Sequence, residues 1–553
     1  MRNQRKITWD LFICLILVIP LALFAGSENL TTVSTFECIS IYYQAPDSGH
    51  CMVFFKEQTE ENWHQALDLV YDHRDKEFRG SIVGLTPDTE YDIKLRRQTK
   101  EIFAKAKTLD EKFPVGKTTY ITSSAEPIHI SESGKPDAYH LITSPEKTHV
   151  TTDVRNAAEY TAMIDADYIV FRGIELKNAA VHGILIKAGR HHIVIEDCHI
   201  TFWGRVGGPK SFGNEGNYDS GVFAETGSGN LIIQRNLIEN PRGGSNDWDT
   251  GHPSGPQAIS LFNSSGGNII RYNDLLSTPD HSFNDVIGGG ANFSNAGSPN
   301  RDSDIYGNIL RSAHDDAIES EGANMNVRIW GNYIHDTFQH IATAATSKGP
   351  LYIFRNVFGK TRSSHRFLGG SMIKTGSRGE FGGGWKYIFH NTALQPDGPL
   401  HVFNNHPDPN CITRNNIFYC PGRLASSKPV SAPGDYDYDL FTGIELGNAQ
   451  EPHGIREIPQ FIESYYLEFY PTSTIETVKW GKVPLKIGER EQILTDPVVT
   501  IPNPVIDSGI VLPNFNDDYA GEGPDLGAFE VGRPPLKFGR HANSAEWPPW
   551  EKY

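Results

Sequence analysis

Asp285, the pair Asp315-Asp316 and His340 are the residues of this 553-residue chain whose types and spacing suit catalysis. Set on the apolar repeat described below, Asp285, Asp316 and His340 each precede the same recurring strand in three consecutive units, so one equivalent position is expected to carry all three. Asp315 stands beside Asp316 in His314-Asp315-Asp316-Ala317-Ile318, and the strand continues through Glu319 and Glu321 on the parity opposite to Ile318. Lys374 takes the Glu319 position two units later, and Glu225 takes the Glu321 position three units earlier. Equivalent residues on neighbouring strands sit about 4.8 Å apart. Glycoside hydrolysis needs one protonated acid and one ionised carboxylate, about 5–5.5 Å or 6.5–9.5 Å apart, and crowded carboxyls titrate together so that one pKa rises. Asp316 is the expected general acid, Asp285 and Asp315 the water-activating groups, and His340 the residue that keeps the cluster's protonation and bonds substrate. Glu225, Glu319, Glu321, Lys374 and His314 are expected to bind substrate, with no metal or other cofactor required.

The same acids serve a second chemistry. Asp315, Asp316, Glu319 and Glu321 supply the oxygens that Ca²⁺ takes. A Ca²⁺-dependent polysaccharide lyase would then remove the proton beside a uronate carboxylate, with Lys374, Arg378 or Lys348 as base. A third reading is not enzymatic: a solenoid that binds glycan or adheres to a surface without cutting. Asp residues ahead of a strand also cap turns by bonding backbone two residues on.

The elements that must position these groups follow from an internal repeat. Ile174, Cys198, Asn236, Asn273, Asn308, Asn332, Asn356, Asn391 and Asn415 recur at spacings of 24 or 35–38 residues. Three residues before each stands Phe171 or an isoleucine (Ile195 through Ile412), and two residues after each stands an apolar residue from Leu176 to Ile417. A unit of about 24 residues holds three short strands and hides its apolar face only by stacking on its neighbours. An all-β parallel solenoid of about nine coils is therefore expected over residues 113–425, its asparagines bonding from coil to coil. The longer spacings place inserted loops at 199–220, 237–257 and 357–371, all just before the second strand, where they would wall a groove. Trp203 and Trp248 lie in two of these loops and are expected to stack on sugar rings.

The repeat resembles the right-handed parallel β-helix of the pectin-lyase-like superfamily over roughly residues 115–425. Polygalacturonase-like glycoside hydrolases in it carry an Asp one coil before an Asp-Asp pair, a His in the next coil and then Arg-x-Lys. Asn284-Asp285-Val286-Ile287, Asp315-Asp316-Ala317-Ile318, Gln339-His340-Ile341 and Ile373-Lys374-Thr375 are similar to those elements. The glycines around the His and the Arg before the Lys are missing, and Asn284 stands one place closer than the family pattern has it. The resemblance implies an inverting, secreted, polysaccharide-cleaving hydrolase.

Composition bounds the rest. A formal charge of −17, more acidic still once a leader carrying Arg2, Arg5, Lys6 and Asp10 is removed, argues against a nucleic-acid partner. Basic residues, an apolar run from Leu11 to Ala25 and small residues to Ser27 have the order of a signal peptide over 1–27. The mature chain is then expected to be secreted, periplasmic or at the cell surface, with no spanning segment. Residues 28–112 alternate like a small β-sandwich, and Leu85-Thr86-Pro87-Asp88-Thr89-Glu90-Tyr91 resembles the tyrosine corner of fibronectin type III domains. That module is expected to serve as spacer or packing unit, with glycan binding as the alternative. Cys38–Cys51 and Cys411–Cys420 are pairs that an oxidising compartment allows. Residues 426–553 leave the repeat and are expected to pack along the solenoid and shield its last coil.

Overall fold

The computed structural model describes residues 29–206, 216–365, 370–394, 401–403, 410–419, 434–442, 451–456, 484–487, 490–493, 504–530, 532–534 and 536–543. The expected signal peptide, Cys14 and Cys420 lie outside them. Between residues 115 and 442 the described strands wind as a parallel β-helix with back, flank and front strands. Twelve back strands, from Val115–Tyr120 to Asp435–Tyr436, form one parallel sheet. The coils thus extend the nine-unit frame at both ends. Flank and front strands merge into one sheet because Ile309–Glu319 and Tyr333–Ala342 run unbroken round the corner between the two faces.

Each coil points one apolar stack inward from each face. Phe171, Ile195, Ile233, Ile270, Ile305, Ile329, Ile353 and Ile388 come from the back; Leu176, Ile200, Ile238, Leu275, Leu310, Ile334 and Phe358 come from the flank. Ile184, Val222, Ile259, Ile287, Ile318, Ile341 and Ile373 come from the front, and all are buried in one continuous core. Fully burying one such side chain contributes about 1.5–3 kcal/mol, which is why a stack of units holds where a single unit would not.

The turn from back to flank explains the repeated asparagine. The residue before it adopts left-handed φ in coil after coil: Asp197, Arg235, Tyr272, Gly307, Gly331, Arg355 and His390 all lie between +52° and +64°. That sharp turn sends the next side chain inward. Asn236 Nδ2 donates to Asn273 Oδ1 (3.0 Å), Asn273 to Asn308 (2.9 Å), Asn308 to Asn332 (3.0 Å), Asn332 to Asn356 (3.0 Å) and Asn356 to Asn391 (3.0 Å). Asn391 continues the ladder to Asn416, not to the expected Asn415, and Asn416 ends it on Asp439. The register there pairs Ile388 with Thr413 rather than with Ile412. Asn415 instead takes the left-handed turn position and bonds His390 and the Ile510 carbonyl.

Residues 30–107 form two four-stranded antiparallel sheets around their own core. Tyr91 Oη accepts the Thr86 amide (2.9 Å), the contact that the Leu85–Tyr91 stretch suggests. Cys38 and Cys51 are separate buried thiols, so that expected pairing is corrected. Cys51 belongs to the sandwich core, whereas Cys38 packs against Tyr352 and Phe354 of the solenoid.

The sandwich is docked on the back face. Phe36 is buried among Val170, Val194, Ile232, Ile269 and Tyr306. Arg328, fully buried and paired with Asp304, donates to Ser40 Oγ (2.7 Å), and Tyr42 Oη donates to Asp302 (2.6 Å). The C-terminal segment covers neighbouring ground: Leu512 and Phe515 join Tyr352 and Tyr387, while Ala528 and Phe538 sit on Ile309, Tyr333 and Val357 of the flank. The front strands are flanked by the connections 240–256, 277–286, 289–296, 343–350 and 375–385. Among the described residues no helix is long and apolar enough to cross a membrane.

Candidate active site

A one-residue bulge builds the site. Ala313 pairs with Thr337 and Asp316 with Gln339, so three steps on one strand oppose two on the next. The extra residue falls at His314-Asp315, and bulges of this kind bend a strand and re-aim its side chains. Asp315 and Asp316 then both approach Asp285 of the preceding coil. One oxygen from each of the three carboxylates lies within 4.8 Å of the other two, and the residues are 1–5% exposed.

Other groups complete the cluster. Lys374 Nζ lies 2.9 Å from Asp316 Oδ2 and 3.0 Å from Glu321 Oε1. Asp285 Oδ2 accepts from Gln257 Nε2 (2.9 Å) and Asn284 Nδ2 (2.8 Å), and its Oδ1 accepts the Asp316 amide (3.1 Å). Glu319 accepts from the Gly289 amide (3.0 Å) and from Asn292 (2.8 Å), and Glu321 accepts the Ala344 amide (3.2 Å). Three buried oxygens around Asp285 have no donor at all: Asp316 Oδ1, Gln257 Oε1 and Asn284 Oδ1. A buried acceptor left without a partner costs roughly 1–3 kcal/mol, and an oxygen-rich set short of protons matches the preference of a hard cation such as Ca²⁺.

The electrostatics point the same way. Burial pushes the carboxyls of Asp285 and Asp315 well above the usual range, and neighbouring carboxylates add to the effect. Burial likewise raises Glu319, and it lifts Glu321 to about 8 against the opposing pull of Lys374. For Lys374 burial works downward, but Asp316, Glu321, Asp315 and Glu319 outweigh it and raise the ammonium well above its ordinary value. Lys374 is 23% exposed where Asp316 and Glu321 are 2%. The lysine is thus the member of its ion pairs with the more exposed side chain.

Several expected site residues lie elsewhere. The bulge shifts the register so that Gln339, not His340, stands opposite Asp316. His340 falls opposite Ala317 and is fully buried, with Thr337 Oγ1 at 2.8 Å from Nδ1, the Gly359 carbonyl at 2.9 Å from Nε2 and its ring stacked on Phe358. Burial holds it neutral, down to about 4. Trp203 is also fully buried, donating to the Asp219 carbonyl (3.2 Å) and stacking on Phe283, so it offers no face to a sugar. The loop folds in there because Arg205 grips Asp219. Glu225 is held by Lys187 (2.7 Å) and the Ala188 amide, three coils before Glu321. His314 donates to the Ser245 carbonyl (3.0 Å) and so clamps the 237–257 loop; burial lowers it to about 4.

Trp248 stays at the rim, half-buried, with its ring 4.6 Å from that of His252. His252 Nε2 lies 3.8 Å from Asp315 Oδ2. His252 and Asn292 escaped the sequence reading, Asn284 entered it only as the neighbour of Asp285, and Gln257 was given no role. Gln257 stood in the column of residues that precede the second strand, and that was the one available signal.

No protein-family model and no curated protein matches this sequence. Among solved structures the chain is similar to the pectate lyase Pel9A, with 13% identity, 77% of this chain and 92% of that one covered, and a TM-score of 0.40. It is also similar to an alginate lyase from Paenibacillus sp. str. FPU-7 (12% identity, 53% and 99% covered, TM-score 0.28). A third is the catalytic unit of a thermostable GH87 alpha-1,3-glucanase from Streptomyces thermodiastaticus strain HF3-3 (9% identity, 76% and 89% covered, TM-score 0.21). The likeness is one of winding.

Proposed function

We propose that this protein is an exported, cation-dependent polysaccharide lyase that cleaves a uronate-containing glycan by β-elimination. The observation that carries the reading is the placement of Lys374: a lysine with a partly exposed side chain whose amine sits against a buried, oxygen-only cluster with unpartnered acceptors. Hydrolysis would ask Asp316, at 1% exposure, to touch a glycosidic oxygen.

Asp285, Asp315 and Asp316 would hold the cation, with Glu319 alongside and the amide oxygens of Gln257 and Asn284 within the same shell of residues. Calcium bound there supplies positive charge that offsets the carboxylates and polarises the uronate carboxylate, making the adjacent C–H more acidic. Once that charge is offset, Asp316 and Glu321 hold the Lys374 proton less tightly, and burial then favours the free amine. Lys374 Nζ accepts the C5 proton of the uronate, and the C4–O bond breaks with its electron pair leaving on the oxygen. That oxygen takes a proton from water, and a C4=C5 double bond forms on the new end. Trp248 and His252 line the rim where the chain would enter.

The test is product chemistry. Purified protein with Ca²⁺ should release ultraviolet-absorbing unsaturated ends from a uronate polymer and stop when EDTA is added. New reducing ends without that absorbance, unaffected by EDTA, would instead identify a hydrolase. Binding with no new ends would identify an adhesin.

A further inference from the structure

The sandwich touches a loop that runs beside the candidate site. Residues 343–349 lie beside Lys374 and Glu321: the Thr343 amide (2.7 Å) and Oγ1 (2.9 Å) both donate to the Lys374 carbonyl, and the Ala344 amide donates to Glu321 Oε1 (3.2 Å). The loop is laced to the preceding coil by Gly322 N to Ala345 O (2.8 Å), Ser347 N to Gly322 O (2.7 Å) and Lys348 N to Ala323 O (3.1 Å). Its far end meets the sandwich. Lys348 Nζ lies 2.7 Å from Asp75 Oδ2, and Arg79, 1% exposed, donates to the Gly349 carbonyl (3.4 Å). Arg79 also grips Asp75, Asp72 and Glu77, so Asp75 is fixed before it meets Lys348.

We propose that Asp75 and Lys348 are positioning residues for Lys374 and Glu321, so that the N-terminal sandwich frames the active site instead of spacing it. This rests on the lyase reading for its kinetic consequence. Lys348 is engaged by Asp75 on the sandwich side of the loop, which gives it a role other than base. A pair this size matters because a reacting amine displaced by about 1 Å loses up to 100-fold in rate, whereas substrate affinity set along the rest of the groove is untouched.

The experiment compares full-length parent, Asp75→Ala, Lys348→Met and the double variant on polygalacturonate and alginate, with melting temperature as the check of folding. Each single variant should lower kcat by about tenfold or more with KM nearly unchanged. The double variant should be no worse than either single, because both remove one interaction. Asp75→Glu should recover most of kcat. Hydrogen exchange of the 343–350 and 371–374 segments, measured without substrate, should speed up in both singles. Folded singles with parental kcat and parental exchange would overturn the proposal, as would a loss confined to KM. If the parent forms no unsaturated ends, the lyase reading falls, and exchange alone then decides whether the sandwich holds the loop.

Discussion

Lys374 Nζ stands 2.9 Å from Asp316 Oδ2 although its backbone lies two coils further along the front face, at the register position of Glu319. The side chain reaches back across Ala342 to place one positive charge among four carboxylates. Without that charge the cluster is a buried concentration of like charge, and the consequences of removing or replacing it can be measured.

Lys374→Met should abolish unsaturated-product formation, with a loss of at least about 100-fold, the usual scale for a general base. It should also cost about 3 kcal/mol of stability in EDTA, because Asp316 and Glu321 keep their burial and lose their counter-charge. Urea melts of both proteins give the comparison, and Ca²⁺ should restore most of the lost stability.

Calcium should raise the melting temperature of the parent by mass action, with about 2.7 kcal/mol gained at a hundredfold excess over Kd. Asp285→Asn and Asp316→Asn should remove most of that gain while still folding. Fluorescence melting in EDTA and in a calcium series reads both effects.

The ion-free protein should lose stability as pH rises. Glu321 has an ordinary value of 4.5 and a folded value of about 8, and Asp285 and Asp315 move in the same direction. A carboxyl raised by folding stabilises fully below its unfolded pKa, and that contribution is lost as pH climbs through the folded one. Melting temperature in EDTA should therefore fall between about pH 5 and 8, and the fall should shrink when Ca²⁺ is present. A flat profile would contradict the buried cluster.

His340→Ala should behave as a core substitution. Loss of its bonds to Thr337 and Gly359 and of its stacking on Phe358 should destabilise the coil by about 2–4 kcal/mol. Below its own melting temperature the variant should keep parental kcat, which an essential catalytic histidine would not allow.

Asn332→Ala should be costly far from the chemistry. It strips Asn308 Nδ2 and the Asn308 amide of their acceptor and leaves Asn356 Oδ1 short of one donor, the amide of residue 332 still reaching it. At roughly 1–3 kcal/mol for each buried group left unpaired, the melting transition should move well before activity per folded molecule does.

The sequence alone determined the period, the inward apolar stacks and the interior amide ladder, since each is a demand that every coil makes on its own residues. It also brought Asp285, Asp315 and Asp316 to neighbouring coils, because that needs only the coil count. Tertiary structure decided what depends on a single residue of register or on chain far away. One extra residue at His314-Asp315 put Gln339 where His340 was expected, and a similar one-residue shift moved the ladder from Asn415 to Asn416. Side chains alternate in and out along a strand, so a slip of one exchanges core for groove, and periodicity carries no mark of where a bulge falls. Trp203 turned inward because Arg205 and Asp219 close its loop over the core. Asp75 met Lys348 because the sandwich docks on the coils, a contact between residues 273 positions apart that no local pattern encodes.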